Sequence, residues 1–175
     1  MSTQTATEGS VRPFSGYAEP EERPPLTSYA TLTAVFNLLF AGAVAGAQRS
    51  GRKLPDRVAP SDVVLTGVAS HKLSRLLAKD KVTAWLRAPF TRYQQPGGPS
   101  ELEESPRGSG ARRAIGELIV CPYCLGMWTS AGLHVGLLYA PRVTRLISST
   151  FTALTISDFL QIAYKAAEER GLGGE

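Results

Sequence analysis

Between Leu26 and Ala47 the chain carries no charged side chain. These 22 residues, at 1.5 Å each, reach about 33 Å as a helix, the thickness of a bilayer's hydrocarbon core. A run of that length in a chain of 175 residues reads as a membrane-spanning helix. Gly42 and Gly46 give its second half a small-xxx-small surface for close helix packing. Two more runs share its character. From Pro122 to Tyr139 only His134 is plausibly charged, and 18 residues reach about 27 Å. Val143 to Tyr164 carries Arg145 near its start and Asp158 deeper.

A fourth helix is expected from Ser61 to Asp80. Its first half is apolar; from His71 onward it is amphipathic, with His71, Arg75 and Lys79 spaced by four. A lipid-facing row of three basic groups is expensive, so this helix is partly interfacial or turned against its neighbours. The expected fold is therefore all-α: a small integral membrane helical bundle of three transmembrane helices plus one partial or interfacial amphipathic helix, or of four transmembrane helices. Counting Lys and Arg bears on the choice. The connector Gln48 to Pro60 has four, Lys72 to Arg113 nine, the turn before Val143 and its first residues two, and each terminus two. A partial second helix leaves fifteen basic residues inside against four outside, and four spans leave thirteen against six.

The remaining segments are polar. Residues 1–25, with Pro13, Pro20, Pro24 and Pro25, read as a disordered tail with no signal-peptide pattern. Residues 26–167 form the helical membrane domain, residues 94–110 a mobile loop with Gly97, Gly98, Glu101, Glu103 and Glu104, and residues 168–175 a flexible end. Trp85, Phe90 and Tyr93 among Arg87 and Arg92 suit a headgroup layer. The net charge of +4 comes without a stacking platform or a DNA-reading motif, so the bilayer, other membrane proteins or a second copy are the expected partners and nucleic acid is not.

The reactive chemistry lies in E-L-I-V-C-P-Y-C-L-G-M-W, Glu117 to Trp128. Glu117, Cys121, Cys124 and Trp128 fall within roughly 60° of one face of a continuous helix. Pro122 breaks that continuity, because its ring clashes with the Leu118 carbonyl and it donates no N–H. A kink or a fresh start is expected, with Cys121 as N-cap and Pro122 as the first helical residue. A helix N-terminus favours the thiolate of a nearby cysteine. Three readings stay open: packing residues, a redox dithiol, or two ligands of a zinc or other thiol-bound metal with His71 as a third. No cofactor is required by the first. C-P-Y-C is also the dithiol of glutaredoxins, but the resemblance stops at four residues and two apolar helices precede it. Asp158, an acid within an apolar run, calls for a partner. The basic face of the second helix and the thiol end of the third are expected to meet in a cytoplasmic-side polar cluster of His71, Arg75, Glu117, Cys121 and Asp158, with Arg75 favoured over Lys72 or His71 as the partner of Asp158.

Four blocks taken together, S-H-K-L-S-R-L-L-A-K-D (Ser70 to Asp80), L-R-A-P-F-T (Leu86 to Thr91), Glu117 to Trp128 and S-D-F-L-Q (Ser157 to Gln161), resemble a bacterial membrane-protein family, domain of unknown function 1360, some of whose members are labelled sporulation proteins. The resemblance covers roughly Thr27 to Ala167 and implies a small multi-pass bacterial cell-membrane protein; it brings no activity. The expected role is a membrane scaffold or partner-binding subunit, since no nucleophile, base and oxyanion-donor set can be assembled. The alternatives are a membrane thiol redox protein using Cys121 and Cys124, and a metal-binding membrane protein. One outcome follows directly from the apolar runs: carbonate washing should leave the protein in the membrane fraction, and its release would contradict an integral assignment.

Overall fold

The computed structural model describes Tyr17 and residues 24–172, so nearly all of the tail expected over residues 1–25 lies outside the described residues, as do residues 173–175. Within them the chain forms α1 (Leu26–Arg49), α2 (Pro60–Lys79), a 3-10 turn (Lys81–Thr83), α3 (Ala84–Arg87), β1 (Thr91–Pro96), β2 (Leu102–Pro106), α4 (Gly110–Val120), α5 (Pro122–Tyr139) and α6 (Pro141–Leu172). Two helices, α1 and α6, are long and apolar enough to cross a membrane. The pair α4 and α5, bent by 82°, would make a third if counted as one span. α6 runs past Ala167, where the membrane domain was expected to end, because K-A-A-E-E-R is built of strong helix formers.

Side-chain contacts fix the helix directions. Asp62 and Lys72 of α2 meet Arg145 and Asp158 of α6 in that order, so these two helices run parallel. Phe36 meets Trp128, and Ala43 and Gly46 meet Tyr139, so α1 and α5 are also parallel. α5 turns back into α6 at Ala140, so closely that a methyl on Gly136 would stand 2.6 Å from Thr144 Oγ1. The four long helices therefore alternate in direction. The ends of α1 and α5 and the starts of α2 and α6 lie at one end of the bundle; the hairpin, α4 and the start of α5 lie at the other.

The interior is made of small and hydroxyl-bearing residues. α2 buries Asp62, Thr66, Ala69, Ser70, Ser74 and Ala78, and α6 buries Thr144, Ser148 and Thr155. Ser70 Oγ lies 2.7 Å from Thr129 Oγ1 and donates to the Gly126 carbonyl at 3.0 Å, while Thr152 donates to the Leu65 carbonyl of α2 at 3.2 Å. Short side chains let the backbones approach closely, and these hydroxyls bond one another or nearby carbonyls except Ser148, whose buried Oγ has no partner among the described residues. The large apolar residues face outward: Leu38, Leu39, Leu146, Phe159, Leu160 and Ile162 are all more than 60% exposed.

Between residues 91 and 106 the all-α expectation fails. β1 and β2 pair antiparallel from Thr91 opposite Pro106 to Pro96 opposite Leu102, with an irregularity between Tyr93 and Gln95. Most of the stretch expected as a mobile loop, residues 94–110, thus belongs to a hairpin. Gly97 sits in its turn against Glu101, with Ser100 in the left-handed region at φ 63°. The three acids that made this segment look solvated each take a base: Glu101 pairs with Arg75, Glu103 with Lys79 and Glu104 with Arg87. Of the basic row of α2, Arg75 and Lys79 pair with the hairpin and His71 stays exposed.

Arg87 is the hub of that end. Its side chain is 1% exposed and that of its partner Glu104 is 5% exposed. Besides the ion pair from Nε, Nη1 donates to the Leu77 carbonyl and to Thr83 Oγ1, each at 2.8 Å, and Nη2 donates to the Asp80 carbonyl at 3.0 Å. The Leu77 and Asp80 carbonyls belong to the end of α2, whose last turn lacks intrahelical donors, so the guanidinium acts as its cap. Thr91 Oγ1 donates to Glu104 at 3.0 Å and ties in β1. α4 closes the unit at Gly116, where a Cβ would lie 2.6 Å from the Phe90 carbonyl oxygen. Removing one partner of a buried pair strands the other, at about 3–5 kcal/mol. Arg87→Ala and Glu104→Ala should each lower the unfolding midpoint strongly, and the double variant should lose much less than the sum; additive losses in thermal unfolding would refute a single coupled unit.

Candidate functional site

Cys121 is where the chain turns. It ends α4 with extended backbone, φ −102° and ψ 105°, and serves as the N-cap of α5, its Sγ accepting the Cys124 N–H at 3.2 Å. Pro122 is the first residue of α5, as its missing N–H and fixed φ predict. The bend means that Glu117, Cys121, Cys124 and Trp128 do not form a stripe on one straight helix. Three of them still converge. Glu117, Cys124 and Trp128 line a cavity of about 250 Å³ together with Tyr29 and Thr33 of α1 and Met127 of α5.

The carboxylate and the phenol of this cavity are already paired. Glu117 accepts from Arg113 Nε at 2.8 Å, one helical turn away, and from the Tyr29 hydroxyl, which moors the start of α1 to α4. Trp128 stands edge-on to Phe36 of α1 at 5.1 Å between ring centroids. Both thiols are free; Cys121 is half-buried and Cys124 is exposed. One turn of helix thus holds two sulfurs, of which that of Cys124 lines the cavity with a carboxylate, a phenol and an indole. An acyl-transfer or proton-transfer site would need a free base within reach of the nucleophile, and Glu117 is committed to two donors.

The expected polar cluster is divided among separate pairs. Arg75 binds Glu101 of the hairpin, Asp158 takes Lys72 at 2.5 Å, Glu117 takes Arg113 and Tyr29, and His71 is exposed on the outer face of α2. Position on the helix decides the pairing. α2 turns Lys72 toward α6, whereas Arg75, three residues on, lies on the outer strip with Val64, Gly67 and His71 and reaches the hairpin. Among the described residues no three His, Cys, Asp or Glu side chains are gathered to hold a metal ion.

Sequence reasoning missed two pairs that matter. Arg145 grips Asp62 with both arms of its guanidinium, at 2.9 and 2.7 Å, locking the start of α6 to the start of α2. Arg87 with Glu104 is the other. For Arg87 a signal existed: the three acids of residues 101–104 match in number the bases Arg75, Lys79 and Arg87, and L-R-A-P-F-T contains both Arg87 and Thr91.

Comparison with known proteins adds a family to this geometry. A family model described as a protein of unknown function (DUF1360) matches residues 65–164, from inside α2 to the region beyond Asp158 in α6, and so includes the hairpin and the bend at Cys121. The chain is similar to the UPF0713 protein YngL of Bacillus subtilis (strain 168), 25% identical over 91 residues, or 50% of this chain and 66% of that relative. It is also similar to the sporulation protein YjcA of the same organism, 35% identical over 74 residues, or 41% of this chain and 63% of that relative. The chain thus spans slightly less than two thirds of the length of each. No solved structure matches.

The pairing makes a testable distinction. Lys72→Ala and Asp158→Ala should each destabilise, and their double variant should fall short of the sum by about 0.5–3 kcal/mol, the range of coupling for groups in contact. Arg75→Ala combined with Asp158→Ala should be additive. Chemical-denaturation cycles on the purified protein decide it; coupling of Asp158 to Arg75 and not to Lys72 would overturn this assignment.

Proposed function

Since the chain belongs to the DUF1360 family of proteins of unknown function, we propose from its own geometry that it is a four-pass cell-membrane scaffold or partner-binding subunit, with the thiols and the hairpin on the cytoplasmic side. The observation that carries the reading is the inverted distribution of side chains. Large apolar residues cover the outside while small residues and hydroxyls fill the interior, the arrangement expected where the surroundings are hydrocarbon. Helix α2 fits as a span despite its modest hydropathy, because Asp62, Thr66, Ser70 and Ser74 are buried and Val63, Val64 and Gly67 face outward. Alternating helix directions then give thirteen basic residues inside and six outside.

A frame is what the charged groups build. Each of the ion pairs Asp62–Arg145, Lys72–Asp158, Arg75–Glu101, Lys79–Glu103 and Arg87–Glu104 joins two elements. Beyond Tyr164, α6 continues to Leu172 and is nearly all exposed through Gly171, a cytoplasmic projection on which a partner can dock. Whatever partner this role serves, the name of the sporulation-protein relative belongs to that protein.

A second reading, reversible thiol redox, rests on one specific feature: Cys121 and Cys124 share a turn at the start of α5, with Cys121 Sγ on the Cys124 N–H. Exchange with a disulfide donor would oxidise the two thiols to an intramolecular disulfide and release the donor as two thiols. Differential alkylation of the two cysteines in cells separates the readings, since a scaffold keeps both thiols reduced throughout.

Topology is the sharper test. In a variant lacking the native cysteines, Asp56→Cys in the α1–α2 connector should react with a membrane-impermeant maleimide in intact cells. Ser100→Cys at the hairpin tip should react only after permeabilisation. Silence of both positions in intact cells would reduce α2 to an interfacial helix and defeat the four-pass arrangement.

A further inference from the structure

The geometry points to an anionic-phospholipid site on the hairpin end of the bundle, in which Arg107 and Arg112 clamp the headgroup phosphate and Val82, Trp85 and Leu86 enter the acyl boundary beside it. The inference rests on the membrane reading above and names the lipid class that reading leaves open.

The helical turn from Lys81 to Arg87 is two-sided. Thr83 and Arg87, four residues apart, are buried against α2 and the hairpin at 8% and 1% exposure. Val82, Trp85 and Leu86, at spacings of three and four, form the opposite face and are 71%, 72% and 44% exposed. Arg87 cannot rotate outward without abandoning its ion pair and its bonds to Leu77, Thr83 and Asp80, so the apolar face is held outward by a buried anchor. An indole and two aliphatic side chains presented on such a turn suit the interfacial layer, where the ring keeps its N–H wet.

Two guanidiniums border this face at Pro89. Its carbonyl oxygen accepts from Arg107 Nε and Nη2 at 3.2 and 3.0 Å and from Arg112 Nε and Nη2 at 2.9 and 2.6 Å. Two full positive charges thus share one neutral oxygen, a few ångströms apart. Among the described residues neither has a carboxylate partner, and the same holds for Lys81 and Arg92 on either side of the turn. The local acids are engaged elsewhere, Glu101, Glu103 and Glu104 in ion pairs and Asp80 in accepting the Val82 N–H. The patch is positive, its charges repel, and the free N–H groups of two planar forks match the oxygens of a phosphate. An anionic headgroup supplies the missing charge while its acyl chains meet Val82, Trp85 and Leu86.

The test uses the full chain purified in detergent and native mass spectrometry with phosphatidylglycerol and phosphatidylcholine supplied in equal amounts. The wild type should retain phosphatidylglycerol preferentially. The Arg107→Gln, Arg112→Gln variant should lose that preference by about 25-fold, since each basic group near an anionic surface counts for roughly a factor of five. Arg142→Gln, at the opposite end of the bundle, should keep it, and circular dichroism should show both variants folded. Equal retention of the two lipids by the wild type, or unchanged preference in the double variant, overturns the inference. So does displacement of phosphatidylglycerol by millimolar inorganic phosphate, which would make the site one for free phosphate. A protein that stays monomeric in solution without detergent breaks the membrane reading itself, a different failure from a detergent-soluble protein that ignores headgroup charge.

Discussion

A buried polar side chain costs free energy until it finds a partner, and α2 carries Asp62, Thr66, Ser70 and Ser74 on one stripe, with Lys72 at its edge. Most of the bundle can be understood as the company that stripe requires. α6 supplies Arg145 for Asp62, Asp158 for Lys72 and the Thr152 hydroxyl for the Leu65 carbonyl; α5 supplies Thr129 and the Gly126 carbonyl for Ser70, while Thr66 and Ser74 donate to carbonyls of α2 itself. Packing through small residues follows, since hydroxyls can bond across a helix pair only if the backbones come close. α1, which has no such stripe, stands outside this group and leans on α5 and α4 through Phe36, Tyr29 and Tyr139.

The other end of α2 poses a different problem, because a helix C-terminus leaves carbonyls without donors. Arg87 and Thr83 answer it: the guanidinium takes the Leu77 and Asp80 carbonyls, and the Thr83 hydroxyl donates to the Leu76 carbonyl at 2.5 Å. Burying that arginine in turn requires Glu104, and Glu104 comes with the hairpin. The small sheet is thus bound up with how α2 ends, and Gly116 lets α4 lie against the base of the hairpin before the chain turns at Cys121.

How much of this could be read from the chain depended on the range of the interaction. The extents of α1 and α5 and the break at Cys121 were legible, since they follow from uncharged runs and from one proline with its missing donor. α2 was legible as a helix with a basic face. The hairpin was not: T-R-Y-Q-Q-P and L-E-E-S-P are short, charged and interrupted by Gly97 and Gly98, and what holds them in place is pairing with Arg75, Lys79 and Arg87 on other elements. The same limit applied to the polar cluster. That Asp158 needs a base was evident from its place in an apolar run, but the choice of Lys72 over Arg75 depends on the rotation of α2 about its axis, which the hairpin and α6 set together.

The parallel pairing of α2 with α6 has a consequence for biogenesis. Asp62 is separated from Arg145 by 83 residues and Lys72 from Asp158 by 86. At about 5–20 residues per second of synthesis, the polar stripe waits on the order of ten seconds for its partners. In the four-pass arrangement proposed above, α1 and α2 would wait through that interval as a nascent hairpin in which Asp62 and Lys72 lack Arg145 and Asp158. Completion of the fold is therefore timed by the last helix to emerge, and a ribosome stalled before Pro141 would leave a fragment fit for quality control.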